Sequence, residues 1–222
     1  MRVLVSGCSS GIGQAIVREM LGGGHQVVGL SRRQPEEEAG VEWIETDLTC
    51  PEDIDRAAAG IGPVDALVHA AGVMYTARLG DLDHELDRRM WQLHVEAPTR
   101  LLNALTAQQQ ALSRVVLIGS RTMTGAAGKS TYSASKAAMQ GLVRSWAMEL
   151  MAQQTTVNLV APAATNTPML HDPARVGVAP VCPPIGHFID PEDIAALVAF
   201  LLGPYASAMT GQTLTVCGGA SL

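Results

Sequence analysis

Apolar residues follow two periods along this chain. Short β-branched runs alternate with longer stretches in which apolar positions recur every three or four residues. The short runs predict strands at Arg2–Ser6, Gln26–Ser31, Val41–Glu45, Asp65–Ala70, Arg114–Gly119, Thr156–Val160 and Gln212–Val216. The longer stretches predict a helix over Gly11–Leu21, stopped by Gly22, Gly23 and Gly24, and another opening near Pro51, where proline suits a first turn. A long helix lies within Leu82–Gln109, broken or shifted near Pro98. Further helices cover Ser130–Ala152 and Pro191–Leu202, the last opening on acidic residues at its positive end. The strands read as apolar on both faces. Strands alternating with helices therefore predict an α/β fold: a three-layer, doubly wound parallel sheet of about seven strands, Rossmann-like, in a single domain over residues 1–222. The proline-rich stretch 166–190 has no periodicity and reads as a loop covering a substrate site.

Composition narrows the classes. The 222 residues are 47% hydrophobic and 16% charged, which suits one packed core and argues against disorder. A formal charge of −6 argues against a nucleic-acid partner, and no run approaches a membrane span. The apolar run at the start is only Val3 to Val5, so a cytoplasmic protein is expected rather than a secreted one. Cys8, Cys50, Cys182 and Cys217 show no paired spacing and read as reduced. None of the six histidines has metal-ligand spacing, so no metal is expected. Glu36, Glu37 and Glu38 read as a solvated loop. Met90, Met139, Met148 and Met151 read as core or subunit contact.

Candidate chemistry begins after the first strand. Gly7, Cys8, Ser9, Ser10, Gly11, Ile12 and Gly13 join that strand to the first helix. Glycines there let a pyrophosphate approach the backbone, and the helix start offers unpaired N–H groups to it. The GxxxGxG spacing also suits an ordinary tight turn. After the second strand, where an acidic residue would accept ribose hydroxyls, the chain has Ser31, Arg32 and Arg33. Guanidinium groups grip a 2′-phosphate, which favours NADP(H) over NAD(H); the alternative is two solvated surface charges. Tyr132 and Lys136 lie one helical turn apart, so an ammonium can favour the phenolate and fit the tyrosine for acid–base work. Ser120, at the end of the fifth strand, is placed to bind a reacting oxygen or simply to cap a turn.

In this order these segments resemble the classical short-chain dehydrogenase/reductase family over nearly the whole chain. The resemblance implies that Ser120, Tyr132 and Lys136 are catalytic and that Lys136 also holds the nicotinamide ribose. It implies that Asp47 and Leu48 contact adenine, that Ala70, Ala71 and Gly72 lie beside the cofactor, and that Pro162, Thr165 and Thr167 close over the nicotinamide. Four positions depart from the family: His69 and Ala70 replace two asparagines, His94 replaces the catalytic one, and Ala163 stands where glycine usually follows the proline at 162. His94 is a candidate proton carrier, or else a packed or solvated helix residue. The expected activity is NADP(H)-dependent interconversion of a ketone or aldehyde and an alcohol. The alternatives are an NAD(H)-dependent secondary-alcohol dehydrogenase and a non-catalytic dinucleotide-sensing regulator. Met123, Gly125, Ala163 and Met169 suggest a small, neutral, apolar substrate. The family implies a homotetramer or homodimer.

Overall fold

In the computed structural model, which describes residues 1–35, 40–108, 112–172 and 178–222, every predicted strand forms. They are β1 (Arg2–Ser6), β2 (Gln26–Ser31), β3 (Val41–Glu45), β4 (Ala66–His69), β5 (Arg114–Ile118), β6 (Thr156–Pro162) and β7 (Thr213–Val216). They pair in parallel in one sheet of order β3-β2-β1-β4-β5-β6-β7. The helices are α1 (Gly11–Gly22), α2 (Pro51–Gly60), α3 (His84–Trp91), α4 (Ala97–Ala107), α5 (Ser130–Leu150) and α6 (Pro191–Leu202).

Successive residues of a strand point to opposite faces, and the core divides accordingly. Val3 and Val5 of β1 pack with Ile16 and Met20 of α1 and Ile194 and Val198 of α6. Leu4 of the same strand faces the other layer, with Ile54 of α2, Leu101 of α4 and Met139 of α5. The expectation of apolar faces throughout holds for the inner strands and fails at β3. There Glu42 and Glu45 are exposed, because β3 is an edge with a single neighbour, and Glu42 pairs with Arg2 at 2.7 Å.

Several helix boundaries follow from local chemistry. The Asp83 carboxylate caps α3 by accepting from the N–H groups of Glu85 and Leu86. Pro51 and Pro191 open α2 and α6, each with acidic residues in the first turn. The predicted break in the long helix is a π-turn over Gln92–Glu96, directly before Pro98 of α4. Proline has no N–H to donate back to position 94, so the regular ladder fails there and one wider turn takes its place. The expected helix end at Gln109, the acidic run at Glu36 and part of the covering loop lie outside the described residues.

The four methionines separate. Met90 and Met139 are fully buried, while Met148 on α5 and Met151 just past its end are exposed. No helix among the described residues is long and apolar enough to cross a membrane.

The feature that positions the site is the reversal of strand order at β1. Its neighbour on one side leads back toward β3 and on the other forward to β4, so the connections leave in opposite directions and a crevice opens at the carboxyl ends of the strands.

Candidate active site

The loop after β1 lies in that crevice. Gly7 has φ of +75°, and a Cβ on it would stand 2.6 Å from the backbone of Ala71, just past β4. A Cβ on Gly13 would collide with the Gly7 carbonyl oxygen. These two positions need glycine for closure of the loop itself, before any ligand is considered. Ser10 precedes α1 with extended backbone and makes no side-chain cap, and the first turn of α1 holds no acidic side chain. Its N–H groups are therefore left for an anion.

Above the loop is a cavity of about 250 Å³, lined by Gly7, Ser9, Ser10, Gly11, Ile12, Ser31, Arg32, Arg33, Asp47, Leu48, Ala70, Ala71 and Gly72. A second cavity, of about 520 Å³, is lined by Ser120, Tyr132, Pro162, Ala163 and Thr165. Ile12, Thr167 and Met169 border both, so the two form one elongated groove. Its small-residue floor, helix start and paired arginines fit a phosphate-bearing dinucleotide laid along it. Neither the Arg32 nor the Arg33 guanidinium has a hydrogen bond or ion pair among the described residues, and both are exposed. One oxygen of the Asp47 carboxylate accepts from the Thr49 N–H at 2.9 Å and from its hydroxyl at 2.8 Å.

Ser120 stands at the wall of the larger cavity. Its Oγ accepts from the Thr122 N–H at 3.2 Å, and the two hydroxyls are 2.9 Å apart. The residue thus caps the short turn Arg121–Thr124 and faces the cavity at the same time. Tyr132, in the first turn of α5, lines the same space and is 7% exposed. One turn further on, the Lys136 amine is buried behind the cavity wall and donates to the Ile118 carbonyl at the end of β5, at 2.8 Å. A Cβ on Gly72 would come within 3.5 Å of that nitrogen, so only a glycine separates the amine from the dinucleotide cavity. Burial pushes Lys136 down to about 7, because the ammonium loses its water.

The two histidines are fully buried. His69 Nε2 lies 2.9 Å from the Leu93 carbonyl oxygen, which can only accept, so this nitrogen carries the proton and Nδ1 accepts from the Ser6 hydroxyl at 2.7 Å. At His94 the assignment reverses. Nε2 accepts from the Val73 N–H at 3.2 Å, and Nδ1 donates to Ser135 Oγ at 2.9 Å, which in turn donates to the Tyr132 carbonyl. Burial, then the nearby Lys136 charge, hold His69 down at about 3 and His94 well below the usual histidine range. Both rings are neutral, with each nitrogen engaged. The His94 ring also meets the Tyr132 ring edge-on, at 5.6 Å between centroids. In this geometry His94 orients its neighbours.

Most of the residues singled out in the sequence meet along this groove. Gly13, His94 and Lys136 lie just beneath its surface. Met123 is a correction: its side chain packs on the apolar core, and neither it nor Gly125 lines the larger cavity, whereas Ala163 and Met169 do. Thr122 and Ser135 carry no chemical signal of their own. Only their spacing, two after Ser120 and three after Tyr132, could have suggested side chains bonding to local backbone. Among the described residues the larger cavity also has two basic lining residues, Arg121 and Lys129, where the sequence suggested a neutral pocket.

This groove and polar cluster define an oxidoreductase that works with a nicotinamide dinucleotide on a carbonyl–alcohol pair. A family model described as enoyl-(acyl carrier protein) reductase matches residues 7–221, and the chain belongs to the short-chain dehydrogenase/reductase family. It is 32% identical to 3-oxoacyl-[acyl-carrier-protein] reductase FabG of Vibrio cholerae, over 97% of this chain and 95% of that one. A short chain dehydrogenase family protein from Francisella tularensis superimposes with a TM-score of 0.90 at 26% identity, covering 99% of this chain and 98% of that one. A variant of actinorhodin polyketide ketoreductase solved with NADPH gives a TM-score of 0.89 at 30% identity, over 99% and 97% of the two chains.

The depressed Lys136 value has a measurable sign. Between about 7 and the unfolded value of 10.5 the unfolded chain binds the extra proton, so stability rises with pH across that window. Below about 7 both states are protonated and the folded protein carries the full cost of a buried ammonium. Urea unfolding at pH 7 and pH 9 should show the wild type gaining more stability than Lys136→Met. Equal gains would mean that the amine is not desolvated.

Proposed function

We propose that this enzyme reduces a ketone or aldehyde to an alcohol with NADPH, and runs the reverse reaction with NADP. Residues 1–222 act as one Rossmann-type unit, with residues 166–190 contributing the substrate side. The observation that carries this reading is the meeting of Ser120 and Tyr132 on one cavity, continuous with the dinucleotide groove, with the Lys136 amine behind them. When bound, the cofactor supplies hydride to the carbonyl carbon or takes it from the alcohol.

The chain's own residues manage the oxygen. The Thr122 N–H donates to Ser120 Oγ, and with the Thr122 hydroxyl as donor in the pair of hydroxyls 2.9 Å apart, the Ser120 proton is free to bind the carbonyl oxygen. Tyr132 Oη gives its proton to that oxygen as negative charge develops, and takes it back in the oxidative direction. The Lys136 ammonium favours the phenolate that remains. His94, neutral and fixed by Val73 and Ser135, holds the first turn of α5 and with it the tyrosine. The glycine loop and the start of α1 hold the pyrophosphate, Asp47 and Leu48 border the adenine end, and Pro162, Thr165 and Thr167 close over the nicotinamide. Arg32 and Arg33 take a 2′-phosphate.

Three measurements test this. Tyr132→Phe should lower kcat by about 10²- to 10⁴-fold while NADPH still raises the melting temperature. A variant that keeps its turnover would remove the tyrosine from the chemistry. Wild type should prefer NADPH to NADH in kcat/KM, and Arg32→Ala with Arg33→Ala should cost about tenfold or more with NADPH and little with NADH. A wild type that favours NADH would reverse the assignment. Thr122→Val should lower kcat about tenfold with KM unchanged, and Thr122→Ser should restore it.

A further inference from the structure

The larger cavity is charged in a way that the rest of the molecule is not. The chain has 21 acidic and 15 basic residues, yet among the described residues the charged ones lining this cavity are Arg121 and Lys129, with no aspartate or glutamate. The remaining wall is small and apolar, including Met74, Ala163 and Leu170.

Arg121 follows Ser120 directly and starts the short turn after β5. One of its terminal nitrogens, Nη1, donates to the Ala220 carbonyl at 3.0 Å, and Ala220 itself lines the cavity. The guanidinium head is therefore tied to the cavity wall. Nε and Nη2 have no protein acceptor among the described residues. These donors are not buried and stay open to a ligand, and the group that best completes a planar guanidinium fork is a carboxylate.

We infer that the substrate is a keto acid: a carbonyl compound with an apolar body and one carboxylate, held by Arg121 while Ser120 and Tyr132 engage the carbonyl oxygen. This rests on the carbonyl-reducing reading above. Because Arg121 adjoins Ser120 in the chain, one short turn sets the spacing between the carboxylate grip and the oxygen grip. The site then discriminates by where the charge lies relative to the carbonyl. A neutral analogue would leave the guanidinium unsatisfied and lose affinity for that reason.

The test uses ketones that differ only in charge: 6-oxoheptanoate and 4-acetylbenzoate, each beside its methyl ester, assayed with NADPH. Wild type should favour at least one acid over its ester by about tenfold or more in kcat/KM. Arg121→Met should abolish that preference, mainly through KM, with the ester rate kept, and Arg121→Lys should restore part of it. Esters turned over as well as or better than the acids by the wild type would overturn the inference and leave the reductase reading intact. An equal loss on acid and ester in Arg121→Met would also overturn it, assigning the arginine to the tie with Ala220 alone. If neither acids nor esters nor simple neutral ketones are reduced, the reductase reading fails and the inference with it.

Discussion

A single buried amine organises the polar interior of this protein. Lys136 Nζ is taken out of water and given one carbonyl, that of Ile118, at the end of a central strand. A charge in such a place is tolerated only if its neighbours neither compete with it nor repel it. The two nearest titratable rings comply. His69 and His94 are both kept neutral, by burial first and by the lysine second, and each is fixed in one tautomer by the groups it bonds. The consequence is a continuous set of directed hydrogen bonds running from the glycine-loop strand through His69 to the π-turn, and from the π-turn through His94 and Ser135 to the helix bearing Tyr132. Each polar side chain in it has a fixed donor or acceptor role, which is what preorganisation of a proton-handling site requires.

The backbone geometry serves the same end. Gly7 lets the ends of β1 and β4 approach so closely that no side chain fits between them, and Gly72 keeps the wall thin where a Cβ would stand 3.2 Å from His94 Nε2 and 3.5 Å from the lysine amine. The groove is therefore formed largely by main chain and small residues. Among the described residues its basic groups divide between the two cavities: Arg32, Arg33 and Arg89 in one, with Asp47 beside them, and Arg121 and Lys129 in the other.

Much of this could be read in the sequence, for identifiable reasons. Strand and helix positions follow from periodicity, and the parallel order from their alternation. The glycine loop, Ser120 and the Tyr132–Lys136 pair are local patterns with fixed spacing, and the sheet brings them together as such patterns imply. The exposed face of β3 was hidden because a sequence does not say which strand lies at an edge. The duties of His69 and His94 were hidden for a related reason. A histidine reads the same whether it titrates or is locked neutral, and the locking groups here are backbone atoms of Leu93 and Val73, contributed by tertiary contact. Thr122 and Arg121 were missed because their meaning depends on a hydroxyl distance and a carbonyl partner that no spacing reveals.

The π-turn at Gln92–Glu96 lets one stretch of helix serve both the site and the core. A regular helix through this stretch would use one residue fewer, so the wide turn absorbs a surplus residue while α4 beyond it keeps its apolar face on the sheet. Deleting one of the five would let the ladder close with Leu101 and Leu105 still packed, while the local positions of Leu93 and His94 against His69, Val73 and Ser135 would be lost. The surplus residue therefore belongs to the site and not to the core. The segment's length is set by the two partners it holds beneath the catalytic groove.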